Sequence, residues 1–224
     1  MCGRFTQTAT PDVIAQHFQL DEPPLFKPRY NIAPSQHVAA IRLNPETPKR
    51  ECVMLRWGLI PSWAKDPKIG HQCINAKAET VAERPSFRSA FKKRRCLVIA
   101  DGFYEWQLQG KQKQPMWIGL KSKRPFAFAG LWEHWKPAEG EPLETCTIIT
   151  TQPNVLMQSI HNRMPVILAP QNYETWLDPA FQHVDTLNAL LRPFPTEHMT
   201  AFPVSTLVNN PRHDAPQCLE PVSI

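Results

Sequence analysis

Residues 96–133 read CLVIADGFYEWQLQGKQKQPMWIGLKSKRPFAFAGLWE. Cys96–Ala100 is a short continuous apolar run, the pattern of a strand buried on both faces. PMWIGLK (115–121), PFAFAGLWE (125–133) and then ETCTIITT (144–151) follow as further strand-like stretches. Upstream, VAAIRL from Val38 and ECVMLRWGLI from Glu51 read the same way; Val53, Leu55 and Trp57 alternate with Met54, Arg56 and Gly58. Helical signals lie outside this series. In TPDVIAQHFQL, Thr10 is an N-cap candidate, Pro11 takes the first helical position, and Val13, Ile14, His17 and Phe18 share a face. PQNYETWLDP and VDTLNALLRPF are the others, the second with an apolar stripe at Leu187, Leu190 and Leu191 that Pro193 ends. Strands without βαβ alternation predict an α+β fold with a mostly antiparallel, barrel-like β core and peripheral helices. Without an internal repeat or linker, residues 1–224 read as a single domain.

The composition is that of an ordinary globular chain, 42% hydrophobic and 20% charged, apart from its 24 prolines among 224 residues. They are scattered, which predicts many short elements joined by shaped loops. The formal net charge of +5 suits an anionic partner. No apolar run has the length of a membrane span, so no membrane partner is expected, and no signal-peptide pattern opens the chain. The six cysteines (Cys2, Cys52, Cys73, Cys96, Cys146, Cys218) form no CxxC pair, which argues against a zinc site or a disulfide framework. A reducing, cytoplasmic setting is expected, with no metal or cofactor.

The chain begins MCGRFTQTAT. Read alone, Cys2 is a small apolar residue tucked into a strand or loop. If Met1 is removed, however, Cys2 presents a thiol and a free α-amine on one carbon skeleton. Five segments then form an ordered set: MCGRF (1–5), RYNIAP (29–34), RWGLIPSWAKD (56–66), INAKAET (74–80) with GFYEW (102–106), and HNRMPVIL (161–168). Together they resemble the SOS-response-associated peptidase family, abasic-site processing proteins that crosslink to damaged DNA. The resemblance spans positions 1 to about 168 and fades in the C-terminal quarter, which is expected to complete the domain. It implies a single α+β domain with a barrel-like core. It also implies a catalytic set of Cys2, Asn75, Glu105 and His161, an abasic site in single-stranded DNA as partner, and localisation at damaged DNA.

Elementary chemistry is consistent with that implication. An α-amine titrates near ~7.7–8.0 and a lysine amine near ~10.4, so at pH ~7.4 roughly a quarter of the former is neutral against about a thousandth of the latter. A neutral amine can add to the ring-opened aldehyde of an abasic sugar to form a Schiff base. The β-thiol can then close a five-membered thiazolidine. Glu105 in GFYEW, with a pKa raised by apolar neighbours such as Tyr104 and Trp106, would supply protons; its plainer reading is an exposed strand-end glutamate. His161 suits a proton shuttle, although a lone histidine is more often structural. Asn75 can orient the sugar or the amine, or can merely cap a turn.

On the DNA side, RPSFRSAFKKRR (84–95) is basic throughout, with Arg84 and Arg88 as phosphate-binding candidates; such a run is more usually a solvated face. Arg4 and Arg29 are further candidates. Trp63 reads as an exposed stacking or wedge residue, whereas Trp57 reads as core. Lys77 stands where the family usually carries arginine, keeping the charge but losing the bidentate fork. Nothing resembles a base-reading element, so sequence-independent binding of single-stranded DNA by a monomer, at a duplex junction in one version, is expected. Two other readings remain: a cysteine peptidase whose own Met1–Cys2 bond is the substrate, and a non-covalent reader of single-stranded or modified DNA.

Overall fold

The computed structural model describes residues 2–47 and 49–223. Its first half contains β1 (Phe5–Gln7), α1 (Pro11–Phe18), β2 (Arg29–Ile32), β3 (His37–Leu43), β4 (Arg50–Trp57), β5 (Asn75–Lys77), α2 (Arg88–Lys93) and β6 (Arg95–Ala100). There follow β7 (Gly102–Gln109), β8 (Gln112–Leu120), β9 (Phe126–Trp135), β10 (Leu143–Thr151), α3 (Val155–Gln158), β11 (Met164–Pro165) and β12 (Ile167–Leu168). The chain ends with α4 (Tyr173–Leu177), α5 (Val184–Ala189) and β13 (Met199–Pro203), interspersed with short 3₁₀ turns.

The apolar run at 96–100 lies in β6, which is buried at every residue. It pairs antiparallel with β3 on one edge and β9 on the other. From β3 the ladder continues to β4, and from β9 to β10. A short parallel contact, Thr145 opposite Arg56 and Cys146 opposite Trp57, joins β10 back to β4 and closes a five-strand barrel. A second sheet, in the order β13-β8-β7-β1-β2, packs against it. Alternation explains why β6 is apolar throughout. Cys96, Val98 and Ala100 pack in a cluster with Phe5, Phe103 and Ile118 of the second sheet. Leu97 and Ile99 pack instead with Ile14 and Phe18 of α1, Phe91 of α2 and Trp176 of α4. The fold is therefore the expected single α+β domain with a mostly antiparallel barrel core and peripheral helices. Among the described residues no helix is long and apolar enough to cross a membrane.

Two local expectations need adjustment. Thr10 is the N-cap of α1 by position, but its side chain makes no capping bond. On that helix Ile14 and Phe18 are buried, whereas Val13 is 44% exposed and does not share their face. A larger departure concerns the basic run. Arg95 is buried, and its guanidinium donates to the carbonyls of Phe91 (2.8 Å), Lys92 (2.7 Å), Trp176 (2.6 Å), Phe181 (2.9 Å) and Asp178. Arg94 pairs with Glu133 at 2.7 Å. The end of the run is thus a peg joining α2 and β6 to α4 and the chain after it. Replacing Arg95 with methionine keeps the apolar stem and strands five carbonyls. Charge-assisted hydrogen bonds of this kind contribute about 1.5–3 kcal/mol each when broken singly. We expect the variant to lose roughly 3 kcal/mol, read as a lower urea midpoint with unchanged slope.

Candidate functional site

The residues after Met1, which itself lies outside the described residues, run beside β7: the Tyr104 N–H donates to the Arg4 carbonyl at 2.9 Å. Pleating places Glu105 on the same face of β7 as Phe103, whose ring belongs to the buried cluster containing Cys2. Tyr104 points the other way, into a small cluster with Val204 and Val208 against which Trp106 packs. Glu105 is 3% exposed and Cys2 fully buried. Burial raises the Glu105 carboxyl to about 7, so at neutral pH it is divided between acid and base. The raised value agrees with the sequence expectation, and its cause is burial. Burial also drives the Cys2 thiol well above its ordinary range, the nearby Glu105 carboxylate adds to this, and the Arg4 N–H opposes it. Cys2 is therefore a protonated thiol near neutrality.

His161 follows α3, whose N-cap Asn154 accepts from the Met157 N–H at 3.0 Å. The His161 N–H in turn donates to the Met157 carbonyl at 2.7 Å. This turn brings Nε2 of His161 to 3.9 Å from Oε2 of Glu105. Burial lowers the imidazole pKa, leaving the ring neutral at pH 7. A cleft of about 410 Å³ opens over the pair, lined by Glu105, Trp106, Lys113, His161 and Asn209. A larger cavity of about 530 Å³, around Trp117 and Phe202, holds none of the candidate residues.

Asn75 is neither a turn nor a cap residue; it opens β5, parallel to β10 and opposite Ile148, a member of the Cys2 cluster. Its amide NH₂ donates to the Ile74 carbonyl at 3.0 Å, which orients the group. Its Oδ1 is buried with no hydrogen-bond donor among the described residues. Two residues on, Lys77 sits opposite Thr150, which is also opposite Pro165 of β11. The INAK and HNRMP segments thus attach to the same end of β10.

Lys77 is exposed, and successive turns carry the chain onward: Thr80 N–H to Lys77 O at 3.1 Å, Arg84 N–H to Thr80 O at 3.0 Å, and Arg88 N–H to Arg84 O at 2.8 Å. Arg84 and Arg88 are exposed, and Trp63, 59% exposed, approaches them with its indole N–H 3.5 Å from the Pro85 carbonyl. Lys77, Trp63, Arg84 and Arg88 therefore belong to one connected surface segment. Trp57 is core, as expected, and donates to the Ile74 carbonyl at 2.8 Å beneath Asn75. Arg4 and Arg29 are placed differently. Arg4 donates to Oδ1 of Asn31 at 2.8 Å and to the Val208 carbonyl at 2.7 Å, with its guanidinium 5.8 Å from the Trp106 ring centre. Arg29 pairs with Asp214 and donates to Gln36 at 2.6 Å. Both charges are held by partners within the fold. The residues that sequence reasoning missed are Lys113 and Asn209 of the cleft and the Glu79–Arg163 pair at 2.5 Å. Only the last had a signal, since each partner lies inside a segment already singled out.

The family described as SOS response associated peptidase (SRAP) matches residues 1–211. Abasic site processing protein YoqW of Bacillus subtilis is 50% identical over 224 residues, covering 98% of this chain and 99% of its own. Abasic site processing protein HMCES of Xenopus tropicalis is 32% identical, covering 98% of this chain and 78% of its own. The crystal structure of a protein from Bacteroides thetaiotaomicron superposes with a TM-score of 0.86 at 29% identity, over 99% of this chain and all of that one. With a family match spanning nearly the whole chain and a relative at half identity end to end, this protein is a member of the SOS response associated peptidase family.

Proposed function

We propose that this protein processes abasic sites in single-stranded DNA by becoming covalently linked to them through Cys2 once Met1 has been removed. The relatives' names supply the substrate class. The observation that carries the chemistry is the grouping of a buried Cys2, a carboxyl titrating near 7 and a neutral imidazole 3.9 Å from it. The α-amine of Cys2 adds to the C1′ aldehyde of the opened sugar and gives a carbinolamine. Protonated Glu105 donates to the leaving hydroxyl, which departs as water and leaves the iminium; the iminium N–H proton then returns to the Glu105 carboxylate to give the imine. The Cys2 sulfur then adds to the imine carbon while its proton passes to the nitrogen, closing the thiazolidine. Aldehyde and aminothiol are consumed, one water is released, and nothing is oxidised or reduced. The Oδ1 of Asn75, which has no donor among the described residues, is an acceptor suited to the amine or a sugar hydroxyl. The surface formed by Lys77, Trp63, Arg84 and Arg88 suits a strand whose phosphates meet cations and one of whose bases meets an aromatic ring.

The state of Cys2 weighs against a general thiol peptidase. Such enzymes attack with a thiolate stabilised by a lowered pKa, whereas burial here holds the thiol protonated. In the Schiff-base route the amine attacks first and the thiol is needed only to trap the imine. Removal of Met1, whether by the protein itself or by an aminopeptidase, is a precondition in either case.

The decisive test mixes untagged protein with single-stranded DNA carrying one abasic site, using intact DNA as control, and runs a denaturing gel. A heat-stable adduct is expected only with the abasic strand. Cys2→Ala keeps the amine but cannot close the ring, so it should give an adduct seen only after borohydride reduction; an unchanged stable crosslink would refute the thiazolidine. The pH profile provides a second check. Wild-type crosslinking should rise as the amine loses its proton and fall again as Glu105, titrating near 7, loses its own. Glu105→Gln should be about 100-fold slower and lack the alkaline decline. Thirdly, Arg84→Ala with Arg88→Ala should weaken binding to intact single strands and lower the slope of log affinity against log salt by about one to two. An unaltered slope would place the strand elsewhere.

A further inference from the structure

We propose that Glu79 is a positioning residue for His161. Through Arg163 it holds the imidazole in the tautomer that presents an Nε2–H to Glu105. This rests on the reading of His161 as a proton-transfer group in the proposed reaction. Arg163 donates from Nη1 to Oε1 of Glu79 at 2.5 Å and from Nη2 to Oε2 at 2.9 Å, a bidentate pair. Its Nη2 also donates to the Thr150 carbonyl at 2.6 Å, which pins the segment 161–163 to β10. Arg163 in turn is the main reason that the Glu79 carboxyl lies below its ordinary range. The clamp thus links the INAKAET segment to the HNRMP segment across 84 residues of chain.

The backbone of the clamped residue sets the ring. The Arg163 N–H lies 3.0 Å from Nδ1 of His161. A backbone N–H can only donate, so Nδ1 accepts and the neutral ring carries its proton on Nε2. That is the nitrogen 3.9 Å from Oε2 of Glu105. The Arg163 carbonyl is 3.3 Å from the same Nδ1. A small rotation of this turn would therefore let Nδ1–H donate to the carbonyl instead and leave Nε2 as a bare acceptor facing the carboxyl. The two tautomers send a proton in opposite directions between His161 and Glu105. Glu79 acts through Arg163; its effect is to stop the turn from relaxing.

The test uses the full chain with ¹⁵N-labelled histidine, free of DNA, and reads the two ring nitrogens of His161 in long-range ¹⁵N–¹H spectra, with His161→Gln identifying the signals. Wild type should show an unprotonated Nδ1 and a protonated Nε2. Glu79→Gln, of the same shape at a partly exposed site, should bring the two nitrogen shifts toward each other as the tautomers mix. Glu79→Asp should restore most of the difference, and Arg163→Lys should resemble Glu79→Gln. Crosslinking to an abasic strand should slow by about threefold to tenfold in Glu79→Gln as the productive tautomer is diluted, with affinity for intact DNA unchanged. Wild-type ring shifts in Glu79→Gln would overturn the proposal. So would a gain in affinity for intact DNA with the tautomer intact, which would make Glu79 a cover for the Arg163 charge. If the tautomer shifts but wild type forms no crosslink, positioning stands and the proposed reaction falls.

Discussion

The constraint on which the site depends is the sharing of β10. It closes the barrel through two residue pairs with β4, and its far end carries β5 and β11. Neither β5, with three residues, nor β11, with two, could hold a conformation alone. Each borrows order from β10; β5 carries Asn75, and the turn before β11 carries His161. The second sheet supplies the third member, because β1 pairs with β7 and lays the N-terminal residues beside Glu105. The groups of the proposed reaction thus come from four separated parts of the chain, held by a scaffold whose own core is apolar.

Burial also fits the order of chemical events proposed above. A carboxyl packed against the Cys2 cluster titrates near neutrality, and the same burial keeps the thiol protonated. A site built to generate a thiolate would show the reverse: an exposed sulfur beside a cation. Here the electrostatics suit the proposed route, in which the α-amine, a nucleophile that needs no anion, attacks first and the sulfur follows as the trap. The neutral state of His161 fits the same environment, since a buried cation would face the same desolvation cost.

How far a residue could be read from sequence depended on whether its role is local. Alternation put Leu55 and Trp57 inside and Met54 outside, and the proline-, serine- and lysine-flanked Trp63 outside as well, because pleating and flanking polarity act over a few residues. Charge was far less legible. Arg84 and Arg88 are exposed, whereas Arg95 in the same run is buried among carbonyls that include those of α4 and the chain after it. Arg29 and Asp214 stand 185 residues apart, and Arg4 reaches Val208 across 204. A cation carries no local mark of whether its partner is a phosphate or a carbonyl folded in from elsewhere. Glu105 was legible as a candidate, but the depth of its burial was not, since that depends on how β7 packs within the fold.

By itself the sequence determined the fold class, through the periodicity of its strands, and it determined the chemical capacity of the N-terminus, because an amine and a thiol on one residue require only Cys2 and the loss of Met1. It also nominated Asn75, Glu105 and His161 through the family resemblance of their segments. Tertiary structure alone decided which of these groups meet, what their protonation states are, and which arginines face solvent. Bond connectivity and side-chain period are properties of neighbouring residues. Proximity, desolvation and hydrogen-bond partnership are properties of groups that the chain brings together only when the barrel closes.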